Sequence, residues 1–349
     1  MLETIIFFIV GIVLFLFGVF LLSEKLKFFI REKIITNLRK ITRKPLYGFL
    51  FGAISSAISQ SSSAITVLTL ALVSSGLLGL YYSLPILFGA NVGTTLTVNL
   101  VAIGVTRISF LFVLIGFVLL FIKKTKRVGE IIFYVGIVFF GLFLISYSIE
   151  PLKYTQQRFF SVKNPYLAFF YSIIFTAAVQ SSAITISSAI ILAQHNLLEL
   201  PAAIAIVLGA NIGTTITALI TCIGTSINGK RTAFAHFFFN VFGAFAFLPF
   251  IWPLNSLLDS FAFPIGLKVS LFHFFFNFVM AIAFLLLLKP YYKFIKTILP
   301  GRESRINFLP FHLDKNFLEK PKEALERTKK RSKNNTTNSR KILCIVEKI

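Results

Sequence analysis

One polar block occurs twice in this chain at a fixed spacing. Gln60-Ser61-Ser62-Ser63 is followed, 29 residues after its glutamine, by Gly89-Ala90-Asn91-Val92-Gly93-Thr94-Thr95. Gln180-Ser181-Ser182-Ala183 is followed at the same interval by Gly209-Ala210-Asn211-Ile212-Gly213-Thr214-Thr215, so the two copies lie 120 residues apart. Both sit in long apolar surroundings, where an unpaired amide or hydroxyl is expensive. A chain that carries the same costly block twice is expected to build half of one binding site from each copy.

The surroundings define the class. Hydrophobic residues make up 56% of the sequence, against roughly 45–50% in soluble domains, and 43 residues are Phe. This composition predicts an all-α polytopic membrane protein. The formal charge of +22 would suggest a nucleic-acid partner on a soluble surface, but nearly half of the basic residues fall in 289–349 and most others in short loops. Such placement is expected of topology signals and of a tail facing anionic lipid, so no nucleic-acid partner is expected. Cys222 and Cys344 are the only thiols, too few for a disulfide framework. Met1-Leu2-Glu3-Thr4 leads directly into an apolar run with no basic stretch and no small-residue cleavage site, so a retained first helix is expected.

Hydropathy places spans near 4–22, 80–105, 108–122, 131–148, 200–224, 232–252 and 267–288, each approaching the ~20 residues that cross a bilayer. Residues 45–76 and 165–195 are too long for one crossing and too short for two, and each holds its Gln-Ser-Ser block near the middle. A re-entrant helical hairpin fits that length and puts the polar tip at mid-membrane. Loop charge agrees. The 23–44 loop (Lys25, Lys27, Arg31, Lys33, Arg39, Lys40, Arg43, Lys44) and the 123–130 loop (Lys123, Lys124, Lys126, Arg127) both read as cytoplasmic, which requires that 45–76 does not cross. The 149–164 loop, expected outside, runs against this with Lys153, Arg158 and Lys163.

The repeat extends beyond the block. Pro45 and Pro165 open the two hairpins, and Val10-Gly11-Ile12-Val13 matches Val135-Gly136-Ile137-Val138. The expected domains are a first repeat over 1–122 and a second over 131–252. Each would hold a hairpin and a broken transmembrane helix (80–105 and 200–224), the glycines of the block permitting an unwound backbone. An extra helix at 267–288 and a basic cytoplasmic tail over 289–349 complete the chain. Loop parity starts the first half outside and the second inside, which makes them inverted-topology repeats in the cell (inner) membrane, N-terminus outside and C-terminus cytoplasmic.

The chemistry of the block is neutral. Amide carbonyls and hydroxyls are hard oxygens suited to Na⁺, while hydroxyls and backbone N–H groups at a helix N-terminus suit an oxyanion. No Asp, Glu, Lys or Arg lies in 45–105 or, apart from Glu199, in 165–224. An anion held there needs cations travelling with it. The residues by themselves therefore suggest sodium-coupled anion transport, and no acid, base or nucleophile set suggests an enzyme.

The doubled Gln-Ser-Ser-Ser and Gly-Ala-Asn-(Ile/Val)-Gly-Thr-Thr pattern resembles the type II sodium-dependent phosphate cotransporter family over about 1–290. The resemblance implies inorganic phosphate as substrate and co-transported Na⁺, with no organic cofactor. Carried onto matching positions, Ser61, Ser62, Ser63, Ser181 and Ser182 would face phosphate. Gln60, Asn91, Thr94, Thr95, Gln180, Asn211, Thr214 and Thr215 would supply sodium ligands or link the tips. Ala183 departs from the pattern and removes one hydroxyl. Members that move net charge carry an acidic residue shortly after the first motif; Ser74-Ser75-Gly76 stands there instead, which implies electroneutral import. The alternatives are the same architecture carrying another oxyanion or small carboxylate, a non-transporting phosphate sensor, and a channel. A monomer and a homodimer are both open, and membrane lipid is the other expected partner.

Two features remain. His236-Phe237-Phe238-Phe239-Asn240 and His273-Phe274-Phe275-Phe276-Asn277 form a second doublet, with His and Asn sharing a helix face. Interhelical hydrogen bonding and a proton-sensing or supporting role are its two readings. Residues 313–326 resemble the opening of a PhoU-like helical domain that is then cut short by the Lys/Arg/Ser/Asn-rich 328–341.

Overall fold

Proline and small residues set the plan of the molecule. The computed structural model describes residues 44–149 and 164–301, together with 3, 5–18, 20–22 and 25. Pro45 and Pro165 occupy the first helical turn of α2 (Pro45–Ser59) and α7 (Pro165–Val179), where the missing N–H costs nothing. Each is followed, after a two-residue break, by a partner helix: α3 (Ser62–Ser74) and α8 (Ser182–Gln194). Around them stand α1 (Ile5–Leu22), α4 (Leu80–Ala102), α5 (Ser109–Leu120) and α6 (Lys126–Ile149). The second half continues with α9 (Leu200–Gly213), α10 (Ile216–Thr221), α11 (Ile227–Phe247) and α12 (Ile251–Asp259), then α13 (Ile265–Leu286) and α14 (Leu288–Ile298).

The described residues are all-helical, and six helices are long and apolar enough to cross a membrane: Ile5–Leu22, Leu80–Ala102, Lys126–Ser148, Leu200–Thr221, Ile227–Asp259 and Ile265–Leu286. The protein is a multi-pass helical membrane protein. The hairpin helices are shorter, at 15 and 13 residues in each copy. At 1.5 Å per residue these reach roughly 20 Å, short of the ~30 Å hydrocarbon core.

Three expectations change. The first repeat does not break its helix: α4 runs unbroken through the whole Gly89–Thr95 block. The glycines serve packing there. A Cβ on Gly89 would overlap the carbonyl oxygen of Phe49, and one on Gly93 that of Ala53, so α2 crosses α4 backbone to backbone. In the second copy α9 stops at Gly213, and Thr214-Thr215 form a turn before α10. The expected span at 108–122 is a helix of only 12 residues, about 18 Å long. The stretch from 289 does not begin as a tail: α14 buries Leu288, Tyr291 and Ile295 against the bundle. Residues 302–349, with the 313–326 stretch for which a PhoU-like opening is expected, lie outside the described residues.

Contacts made in one half recur in the other. The helix pair α2 and α4 is repeated by α7 and α9, and α3 with α4 by α8 with α9. The matching first helices of the two halves lie against each other, with Gly11 on Gly141 and Ile145, and Gly18 on Val138. Lys25 and Glu130 pair at 2.6 Å at the other end of the same contact, so α1 and α6 run antiparallel. Farther along, the rings of Phe88, Phe239, Phe284 and Tyr291 pack mostly edge to face at centroid distances of 4.7–6.0 Å and join α4, α11, α13 and α14. Arg231 is 2% exposed. Its Nε donates to the Leu299 carbonyl at 3.0 Å and its Nη2 to the Gly301 carbonyl at 3.2 Å, so α11 grips the C-terminal end of α14.

Candidate functional site

Each block folds into a tight tip between two helices, and the two tips share one backbone conformation. Gln60 has φ 53° and ψ 27°, and Gln180 has φ 58° and ψ 24°. The next residues, Ser61 (−149°, 104°) and Ser181 (−144°, 109°), are extended and serve as N-caps of α3 and α8. A left-handed backbone costs a residue with a Cβ roughly 1–2 kcal/mol, and glycine would remove that cost. Glutamine at both strained positions indicates that the amide side chain is wanted there.

The two tips meet at one cavity of about 200 Å³. It is lined by Gln60, Ser61, Ser62 and Ser63 from the first tip and by Gln180, Ser181, Ser182, Ala183 and Ile184 from the second. Thr94 of α4, Thr214 at the end of α9, Val179, and Leu16 and Phe20 of α1 close the wall. Every lining side chain is uncharged. The space is smaller than the ~300–1,000 Å³ of drug-sized ligand sites. The first turns of α3 and α8 both reach this space, so backbone N–H groups and the positive ends of two helix dipoles lie at its edge.

Hydroxyl contacts tie the halves together. Ser63 Oγ and Thr214 Oγ1 lie 3.3 Å apart across the two repeats. Behind the first tip, Ser56 Oγ and Thr94 Oγ1 share a hydrogen bond of 2.7 Å. Behind the second, Thr176 Oγ1 and Thr185 Oγ1 do the same at 2.7 Å. Ser61 Oγ accepts from the Ala64 N–H at 3.2 Å, whereas the Ser181 hydroxyl makes no such cap. The Gln60 side-chain oxygen is buried without a partner among the described residues, while Gln180 is exposed.

Nine of the residues singled out from the sequence line the cavity: Gln60, Ser61, Ser62, Ser63, Thr94, Gln180, Ser181, Ser182 and Thr214. The other four are engaged elsewhere. Asn91 bonds to α11. The Asn211 Nδ2 donates to the Val207 carbonyl of its own helix. Thr95 and Thr215 donate to the carbonyls of Val92 and Ile212. The sequence reading overlooked Ser56 and Thr176, which support the tips from behind; they stand 120 residues apart, four before each glutamine, and that register could have found them. It also read α1 as a span and nothing more, though Leu16 and Phe20 form the apolar wall of the cavity.

The fold and site define a multi-pass helical membrane protein with a small cavity of uncharged lining between two matching tips. The description Na+/Pi-cotransporter matches this sequence twice, over residues 14–147 and 153–286. The chain belongs to the Na+/Pi-cotransporter family, a family of phosphate transporters and not of enzymes. It is 31% identical to "Uncharacterized protein YqeW" of Bacillus subtilis over 83% of this chain and 97% of that one. It is 27% identical to "Putative inorganic phosphate export protein YjbB" of Salmonella typhimurium over 82% of this chain and 54% of that one, so it spans about half of that relative. A shorter stretch, 22% of this chain, is 36% identical to 10% of human "Sodium-dependent phosphate transport protein 2B". No solved structure matches.

Proposed function

We propose that this protein is a sodium-coupled secondary transporter that moves inorganic phosphate by alternating access, electroneutrally and inward down the sodium gradient. The observation that carries the reading is the pair of strained glutamines facing one small, uncharged cavity. Ser61, Ser62, Ser63, Ser181 and Ser182, with the backbone N–H groups of the first turns of α3 and α8, bind the phosphate oxygens. Gln60, Thr94, Gln180 and Thr214 offer the neutral oxygens for Na⁺. Asn91, Thr95, Asn211 and Thr215 hold the helices that present them. With no fixed charge in the wall, phosphate enters the low-dielectric centre only with its cations, and a half-loaded site stays locked by its own uncompensated charge.

The two halves are inverted repeats in this reading, with the short hairpins entering and leaving on one side of the inner membrane. The antiparallel packing of α1 on α6, its counterpart, is what inversion requires. The exposed apolar side chains, Phe110, Phe117, Phe170, Phe245 and Phe275 among them, form the lipid-facing surface. The N-terminus lies outside and the C-terminus in the cytoplasm. Electroneutral coupling is supported by the resemblance, since Ser74-Ser75-Gly76 stands where members that move net charge carry an acidic residue; the Ser74 hydroxyl accepts from the Ser226 N–H and the Ser75 hydroxyl donates to the Leu72 carbonyl.

The name of the YjbB relative favours a second reading, phosphate export by the same site. Uptake of ³²P-phosphate into proteoliposomes of known protein orientation, with the sodium gradient imposed in either direction and voltage clamped in parallel, tests both. Sodium-driven, saturable uptake without current supports the proposal. Flux opposite to the gradient supports export, and flux indifferent to sodium contradicts coupling.

A further inference from the structure

The His-Phe-Phe-Phe-Asn doublet falls on α11 and α13, and its polar side chains are at most 1% exposed. The stations of these two helices correspond. α11 packs on α3, α4 and α9; α13 packs on α8, α9 and α4. Exchanging α3 for α8 and α4 for α9, the equivalents at an offset of 120, turns one set of neighbours into the other. By that exchange Asn211 is the counterpart of Asn91, and His273 with Asn277 the counterpart of His236 with Asn240.

The two stations are in different states. At the first, a hydrogen-bonded ring is closed. The His236 Nε2 donates to the Asn91 Oδ1 at 3.2 Å, the Asn91 Nδ2 to the Asn240 Oδ1 at 2.9 Å, and the Asn240 Nδ2 to the His236 carbonyl at 2.9 Å. At the second, the Asn277 Nδ2 donates to the His273 carbonyl at 2.9 Å, which is the same first link. The ring is open beyond it. Asn211 donates back to Val207 at 2.8 Å, and the Asn277 Oδ1, whose counterpart on Asn240 accepts from Asn91, is buried without a partner among the described residues.

We propose that Asn91–His236–Asn240 and Asn211–His273–Asn277 are alternating latches, one closed and one open in each of the carrier's two end states. Asn91 lies one turn before Thr94 in the cavity wall, so the closed ring sets where α4 presents that hydroxyl. On re-exposure Asn91 is released and Asn211 leaves Val207 to close the ring with His273 and Asn277. One ring forms as the other opens, so the two end states stay close in energy, as a carrier that populates both requires. These residues are positioning residues, and the inference rests on the alternating-access reading above.

The test uses a single cysteine at the cavity wall, Val179→Cys in a Cys222→Ser/Cys344→Ser background, labelled with a membrane-impermeant maleimide in right-side-out and inside-out vesicles. The reference protein switches its labelled side with sodium and phosphate. His236→Phe shifts labelling toward one side and His273→Phe toward the other, each by about fivefold or more, and His236→Gln, which keeps an N–H donor, returns the reference ratio. Asn277→Leu removes an oxygen that is unpaired in this state together with one hydrogen bond to the carbonyl of its own helix, and its melting temperature is compared with that of the reference. It holds labelling to one side and lowers phosphate flux about tenfold or more while sodium-dependent phosphate binding in detergent stays within about threefold. Shifts in the same direction, no shift, or reference-level flux in Asn277→Leu overturns the latches. A reference protein labelled from one side under every condition overturns alternating access and the latches with it, and so separates the two failures.

Discussion

Ser61 and Ser181 hold nearly the same backbone angles, yet only Ser61 turns its hydroxyl onto its own helix, at the Ala64 N–H. The same division runs through both tips. Ser63 reaches Thr214 in the other half, while its counterpart is Ala183 and reaches nothing polar. The Gln60 amide oxygen is buried, and Gln180 is exposed. Equal backbones with unequal side-chain commitments give a braced first tip and a second tip whose hydroxyl and amide remain available to ligand. Repetition supplied the shape of the site, and divergence at single positions distributed the work.

The largest effects come from the glutamines. Gln60→Gly and Gln180→Gly keep the left-handed tip and remove the amide. With hydrogen bonds to charged partners worth about 1.5–3 kcal/mol, each is expected to lower sodium-driven phosphate uptake roughly 10- to 100-fold with the folded yield maintained. If Gln180→Gly matched the parent, the second tip would not be the ligand-handling one. Next come the close helix crossings. Gly93→Ala forces a Cβ onto the Ala53 carbonyl, and overpacking of this kind costs about 1–3 kcal/mol in thermal unfolding. Gly213→Ala meets the Ile173 carbonyl at a wider approach and is expected to cost less.

The serines divide by property. Ser61→Ala loses a helix cap, about 1 kcal/mol of stability. Ser181→Ala loses no cap, stays within about 0.5 kcal/mol in a melting experiment, and instead weakens phosphate binding roughly tenfold. Equal melting losses for the two would erase the distinction between the tips. Smallest is Ala183→Ser, which restores the missing hydroxyl to the second tip. Its expected change in phosphate affinity is within about threefold, as for a single neutral hydrogen bond of ~0.5–1 kcal/mol.

The positions of the tips were legible in the sequence because proline at a helix start and a polar block inside an apolar run are both local signals. Pro45 and Pro165 do open the hairpins, and the Gln-Ser-Ser triplets do sit between helices. The continuity of α4 was not legible. Glycine in an apolar helix reads equally as freedom to unwind or as room for a neighbour, and the Phe49 and Ala53 carbonyls that decide it lie some 40 residues away. Asn91 is similar: its motif suggested a ligand, but its orientation is fixed by His236 and Asn240 on a helix from the other half. The length of α5 and the packing of α14 escaped for the converse reason, since hydropathy registers apolar content and not where a turn or a buried Tyr291 ends a segment.

The central claim is that both tips build one site. Equilibrium binding of ³²P-phosphate to the purified protein in sodium counts sites directly. The account predicts one sodium-dependent site per chain, weakened roughly 10- to 100-fold by Gln60→Gly and by Gln180→Gly alike. Two sites per chain, each removed only by the variant of its own tip, would contradict it.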